Sequence, residues 1–324
     1  MREKTEVNAT LEERVFQADR PIPSFGWAFA KPSARIRYRL VSHTPTALKL
    51  IAAELLGRID AWRKRDALAE ARATSEKIVA GTTRAGELEK IARQRLVELR
   101  VRQAIFWRSR WDRDAVIGEE NMRAALESDR PVILTFCHLA AFENTFAPIG
   151  ATGRATYLPM AGWFFDPPTD NPWGYRLEHW RQGFAQINGR VVVMPGAFDV
   201  LHALLERGDV VMVAFDSPGN TETQFLGKPV MMASGTARLA KDTEAILLPT
   251  RRVRRGLKVA IEFAPPIDSR KYEDPTSLHV TLANLHSGWI LENPEGLEDP
   301  SREGFWEEDA LPTGWMRPVR RAKG

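Results

Sequence analysis

From residue 118 onward, short apolar runs rich in β-branched residues alternate with segments of helical periodicity. That alternation is the strongest constraint on the fold. The apolar runs lie at 131–136, 154–158, 190–194, 210–214, 245–251 and 256–264. Each has the length and side-chain type of a buried strand. Helical segments lie at 118–128, 142–149, 173–187, 197–207, 235–242 and 276–291. The pattern predicts an α/β fold: a central, mostly parallel mixed sheet flanked by helices, with an antiparallel edge. Residues 1–45 read as irregular, broken by Pro21, Pro23, Pro32 and Pro45. Residues 46–80 and 84–112 read as long helices. The expected organisation is a helical N-terminal extension, 1–112, packed on an α/β core, 113–324, as one structural unit.

Composition removes several classes of function. One cysteine, Cys137, in 324 residues excludes an intramolecular disulfide or a zinc ribbon and points to a reducing compartment. The first twenty residues are charged and lack the apolar core of a signal peptide. No stretch approaches eighteen uncharged apolar residues, the length needed to cross a bilayer. The expected location is cytoplasmic, or peripheral on the cytoplasmic face of an inner membrane. Net charge is +4, but the basic residues are clustered. Residues 84–113 hold nine Arg or Lys against four acids. Such a run attracts phosphate on lipid, coenzyme or nucleic acid, although a solvated helix face is the commoner meaning.

The chemistry centres on the run 131–136, which ends at Cys137-His138 and is followed by Leu139-Ala140-Ala141-Phe142-Glu143. His138 is thereby placed where a central strand gives way to a helix, the edge at which open α/β sheets bind ligands. Glu143, about one turn later, is expected to fold back onto the imidazole and fix its tautomer. A histidine held in this way can take a proton from a hydroxyl as it attacks an acyl carbon. Taken alone, the spacing more often belongs to a hydrogen-bonded core histidine with Glu143 as a solvated helix residue; the surrounding sequence reverses that balance.

Other segments supply candidate binding groups. Asp216 follows the strand 210–214 at the mouth of the sheet, where a plain turn aspartate is the alternative. Ser234-Gly235-Thr236 opens a helix and offers free backbone amides, with Arg238 one turn in. Small residues there also simply cap helices. Arg181 lies on the helix before the third strand and suits a carboxylate or phosphate. Trp163, Phe164 and Phe165, in a Gly/Pro-rich loop, are candidates for an acyl groove or a membrane contact. Trp107 and Trp111 share one helix face among arginines, as an interfacial anchor would, and core packing explains them as well.

In this order, the residues resemble the lysophospholipid acyltransferase superfamily. The branch they resemble is that of the late (lauroyl/myristoyl) acyltransferases of lipid A biosynthesis and the phosphatidylinositol mannoside acyltransferases. The resemblance spans roughly 100–295. It rests on Val132-Ile133-Leu134-Thr135-Phe136-Cys137-His138 with Glu143, on Arg181 and Asp216, and on Phe225-Leu226-Gly227-Lys228-Pro229. It continues through Ser234-Gly235-Thr236-Ala237-Arg238-Leu239-Ala240 and ends at Glu292-Asn293-Pro294-Glu295. It implies transfer of an acyl group from acyl-CoA or acyl carrier protein to a hydroxyl of a glycolipid. His138 would be the general base and Glu143 its orienting partner. Arg181, Asp216, Ser234, Gly235, Thr236 and Arg238 would shape the site or bind substrate. No metal or other cofactor is implied.

The chain departs from the family in three ways. The phosphate-binding Glu-Gly-Thr-Arg block of glycerolipid acyltransferases is absent, which disfavours a glycerol-3-phosphate acceptor. Ala140-Ala141-Phe142 stands where the family often has Gly-Asn-Trp, and the N-terminal membrane span of the lipid A enzymes is missing. A soluble O-acyltransferase acting on a small-molecule or specialised-metabolite acceptor is therefore the second reading. A non-enzymatic lipid or nucleic-acid binding protein is the third. It is disfavoured because the chain carries no nucleic-acid motif and no aromatics interleaved on strands.

Overall fold

The computed structural model describes residues 9–22, 32–161, 172–194, 196–298 and 317–318. In chain order the strands are β1 (Ala115–Ile117), β2 (Val132–Phe136), β3 (Thr156–Ala161), β4 (Gly189–Met194), β5 (Val210–Ala214) and β6 (Pro218–Phe225). They continue with β7 (Lys228–Met232), β8 (Ile246–Arg255), β9 (Lys258–Phe263), β10 (Ile267–Asp268) and β11 (Arg317–Pro318). The main sheet runs β1-β9-β8-β2-β5-β3-β4, with β10 beside β8. β2 pairs parallel with both β5 and β8, and β3 pairs parallel with β4 and β5. β8 and β9 are antiparallel. This is the mixed, mostly parallel sheet that the alternation of runs and helices predicts.

β2 is buried at every position, because helices cover both faces of the sheet. Ile133, Val211 and Leu247 point to one face, where they meet Val200, Leu204, Leu278 and Leu282. Those partners come from the helices Ala197–Glu206 and Pro275–Glu292. Leu134, Met212 and Leu248 point to the other face and meet Met122, Leu126, Leu177 and Phe184. These belong to the helices Glu119–Glu127 and Pro172–Gln186. The period-two alternation of the strand residues produces both layers.

Three expectations need correction, and one element was not foreseen. The stretch 46–80 is two helices, Thr46–Arg63 and Arg65–Val79, broken at Lys64. The region 1–45 is not irregular throughout: it holds the helices Leu11–Asp19 and Pro32–His43. The first is opened by a reciprocal cap between Thr10 and Glu13, and the second by a proline at a position that needs no amide proton. The helix expected at 142–149 is a short 3-10 turn, Phe142–Asn144, followed by one α-turn, Ala147–Ala151. Finally, 218–232 is a hairpin of β6 and β7. Its two-residue turn, Leu226-Gly227, has positive φ at both positions (53° and 72°), the twist that tight hairpins require.

Candidate active site

The register of β2 and β5 builds the site. Phe136 lies opposite Ala214, and the amide of Phe215 donates to the carbonyl of Phe136 at 2.7 Å. Two residues further along each chain stand His138 and Asp216, side by side at the carboxyl edge of the sheet. The Asp216 carboxylate accepts twice from His138. The backbone N–H donates to Oδ2 at 2.8 Å, and the ring Nδ1 lies 2.8 Å from Oδ1. An anionic acceptor on Nδ1 places the ring proton there and leaves the lone pair on Nε2. Both side chains are nearly buried. Phe142 meets the ring edge to face at 4.5 Å, and Phe136 flanks it at 5.4 Å.

The orienting carboxylate is therefore Asp216, and the expectation that Glu143 fills this role is corrected. Glu143 is buried, with its Oε1 accepting from Arg102 at 3.0 Å and lying 3.5 Å from Arg176. Burial alone would push its carboxyl up, but Arg102 and Arg176 outweigh burial and hold it below the usual glutamate range. Arg102 also binds Glu298 and lies over the Phe142 ring. The Phe142–Asn144 turn is too short to bring Glu143 round to the imidazole. Instead it aims the carboxylate at the helix Leu88–Phe106, which carries Arg102.

The loop that carries His138 is pinned along its backbone. Its carbonyl accepts from Glu298 N–H at 2.8 Å, and Ala140 N–H donates to Gly296 O at 2.7 Å. Leu139 and Leu297 form an antiparallel bridge. Arg252 Nε donates to the carbonyl of Ala141 at 2.5 Å, and Arg95 holds Leu297 O at 2.8 Å. The segment 293–298, which ends the last long helix, is thus a strap across the loop. Ala140 sits at φ 56°, a left-handed conformation that a side chain rarely adopts. Phe215, beside Asp216, packs between the rings of His286 and His279 at 5.1 and 5.0 Å.

The other candidates divide. Ser234 lies close to the Asp216 loop: Ala233 N–H donates to Ser217 O at 3.0 Å, and Thr221 Oγ1 donates to Ser234 Oγ at 2.9 Å. Gly219 is required there, since a Cβ would stand 2.4 Å from Ala233 backbone atoms. Gly235 and Thr236 begin the helix Gly235–Asp242, with Thr236 buried. Arg238 is exposed and lies over Phe198. Arg181 is fully buried, so it is not a surface arginine. Trp163, Phe164 and Phe165 lie outside the described residues.

The interfacial reading of Trp111 is overturned. It is 2% exposed, and its Nε1 donates to Phe106 O. Trp107 is half-buried and stacks on His179 at 4.9 Å, which also makes it a packing residue. The basic run 84–113 is likewise not one solvated face. Arg95 and Arg108 are buried, and Arg102 and Arg108 pair with internal carboxylates. Sequence reading missed Arg102, Arg176, Glu298 and Arg252 as supports of the loop. A buried carboxylate at Glu143 demands a cation, but the sequence does not say which of many arginines supplies it. Among the described residues, no cluster of three or more His, Cys, Asp or Glu could hold a metal ion.

Residues 65–296 match the family described as bacterial lipid A biosynthesis acyltransferase. No curated protein matches the chain. Among solved structures, the chain is similar to the 1-acyl-sn-glycerophosphate (LPA) acyltransferase PlsC from Thermotoga maritima. That likeness is at 14% identity and a TM-score of 0.34, covering 80% of this chain and 96% of that one.

Proposed function

Because the chain belongs to the bacterial lipid A biosynthesis acyltransferase family, we propose that it moves a fatty acyl group from acyl-CoA or acyl carrier protein to a hydroxyl of a glycolipid, with His138 as general base. The observation that carries this reading is the 2.8 Å contact between His138 Nδ1 and Asp216. It fixes the tautomer that a base needs. The acceptor hydroxyl gives its proton to Nε2 as its oxygen attacks the thioester carbonyl. Asp216 stabilises the imidazolium that forms. The tetrahedral intermediate then collapses, the C–S bond breaks, and the imidazolium returns its proton to the departing thiolate.

Backbone amides of the 234–236 turn, held to the Asp216 loop through Ser217, are the candidate donors to the oxyanion. Such donors are worth about 10²–10³ in rate. In this account Glu143 is a positioning residue: it holds Arg102, which also grips Glu298 on the strap over the His138 loop. The base-catalysed step needs no metal or redox cofactor. A lipid acceptor implies work at a membrane surface. Among the described residues no helix is long and apolar enough to cross one.

The test uses the purified full chain and His138→Ala. Each is given acyl-CoA donors of several lengths or an acyl carrier protein thioester, with and without a bacterial lipid extract. Thiol release that requires both His138 and lipid, with an acylated lipid found by mass spectrometry, supports the reading. Thiol release that is unchanged in His138→Ala defeats it.

A further inference from the structure

The helix Thr46–Arg63 is built inside out. The face it turns to the helix Leu88–Phe106 is mostly small: Ala53, Gly57 and Ala61 are buried there, with Leu50. At Gly57 a Cβ would stand 2.5 Å from Val97 Cα, so the two backbones touch. The large apolar residues lie on the opposite side. Leu48, Ile51, Leu55, Ile59 and Trp62 are all exposed, Leu55 at 59% and Trp62 at 79%. Their spacing of three, four, four and three places them on one stripe along the whole helix. The preceding helix, Pro32–His43, adds exposed Ile36 and Leu40. A contiguous apolar surface of this kind marks a contact with something apolar.

The charges say what that contact is. The helix acids, Glu54 and Asp60, lie off the stripe and are bound within the protein. Glu54 accepts from Arg254 at 2.6 Å, and Asp60 accepts from Arg100 at 2.5 Å. The rim of the stripe is basic on balance: Arg63 and Arg65 are exposed at its end beside Trp62, with Asp66 the exposed acid that follows, while exposed Arg58 and Lys64 pair with Glu54 at 3.7 Å and Asp60 at 2.8 Å. An apolar stripe with a cationic rim and an indole at its end fits the headgroup–acyl boundary of an anionic bilayer. A second copy packed on the same face would bring like-charged rims together.

We propose that the outer face of the helix Thr46–Arg63 is a membrane-docking surface that seats the protein in one leaflet of an anionic bilayer, lying in the plane of the membrane. The choice of a lipid occupant rests on the acyltransferase reading above. Vesicle binding is nevertheless measured apart from turnover, so the two can fail separately.

The experiment is co-sedimentation of the full chain with vesicles containing phosphatidylglycerol, beside vesicles of phosphatidylcholine alone. Wild-type protein and His138→Ala are expected to bind the anionic vesicles equally. Leu55→Glu and Trp62→Glu, both at exposed positions, are expected to keep the wild-type circular dichroism and to lose at least about tenfold in binding. Leu55→Cys carrying an environment-sensitive dye should shift to the blue on anionic vesicles, since the native Cys137 is buried and takes no label. Three results would overturn the proposal: no binding by the wild type, undiminished binding by both Glu variants, or a change confined to self-association in sedimentation velocity. Dead turnover with intact binding would count against the catalytic reading and leave the docking surface standing.

Discussion

Asp216 holds His138 at two points, its backbone amide and its ring Nδ1, each at 2.8 Å across 78 residues of chain. One carboxylate thus fixes both the position of the loop and the tautomer of the imidazole. Glu143, close to His138 in sequence, is spent on Arg102 and Arg176.

That division of labour separates two variants. Glu143→Gln removes the carboxylate that Arg102 and Arg176 share in a buried cluster and leaves Arg102 its pair with Glu298. It should cost about 3 kcal/mol of stability and lower the thermal midpoint. At a temperature where the variant stays folded, kcat should fall far less than in Asp216→Asn. Thermal melts beside turnover measurements check this, and a larger kcat loss for Glu143→Gln would reverse the assignment.

Ala140 offers a stability test of loop strain. At φ 56° its methyl group disfavours the conformation that the strap imposes. Ala140→Gly should stabilise the fold by roughly 1 kcal/mol, and Ala140→Val should destabilise it by more. Urea denaturation midpoints measure both, and a Gly variant less stable than wild type would refute the strain.

Sequence patterning revealed most of the scaffold. The β-branched runs and helical periods report burial on two faces, and burial drives the sheet. The hairpin 218–232 escaped because β6 is mostly polar and half exposed, β7 is short and interrupted by Pro229, and the turn signal, Leu226-Gly227, is weaker than Asn-Gly. The first two helices escaped in a stretch read as irregular from its prolines, although Thr10 and Glu13 carry the spacing of a helix cap. At the site, the position of His138 followed from where β2 ends. Its partner did not, because proximity in sequence favoured Glu143 while strand register favours Asp216. Pairing across 78 residues depends on which strands become neighbours, and local pattern does not encode that.

Stability should also depend on pH in a defined window. Burial lowers both His179 and His286 from 6.5 to about 4. Between these values the unfolded chain binds protons that the folded chain does not, so stability falls as pH drops from 6.5 towards 4. The slope is up to about 1.4 kcal/mol per pH unit for each histidine. Above 6.5 this contribution is complete. Glu143, held low by its arginines, adds its own loss only near and below the usual carboxylate range. Chemical denaturation at intervals from pH 7.5 to about 4.5 tests the histidines, with Glu295, whose carboxyl burial pushes up, opposing them at the acid end; a flat profile between about pH 6.5 and 5.5 would contradict their neutral burial.

Cys137 should resist modification. Burial, with Asp216 adding to it, pushes its thiol well above the ordinary range, so little thiolate forms. A disulfide reagent should react with the native protein only at the rate of unfolding, and fast labelling at neutral pH would show an open site.

The central claim is that Asp216 prepares His138 as the base for acyl transfer. The direct measurement is the steady-state rate of thiol release from an acyl thioester with lipid acceptor, for wild type, His138→Ala and Asp216→Asn. The account predicts a loss of kcat of roughly 10³–10⁴-fold in Asp216→Asn, a loss at least as large in His138→Ala, and melts close to that of wild type. Near-wild-type turnover in either folded variant would contradict it.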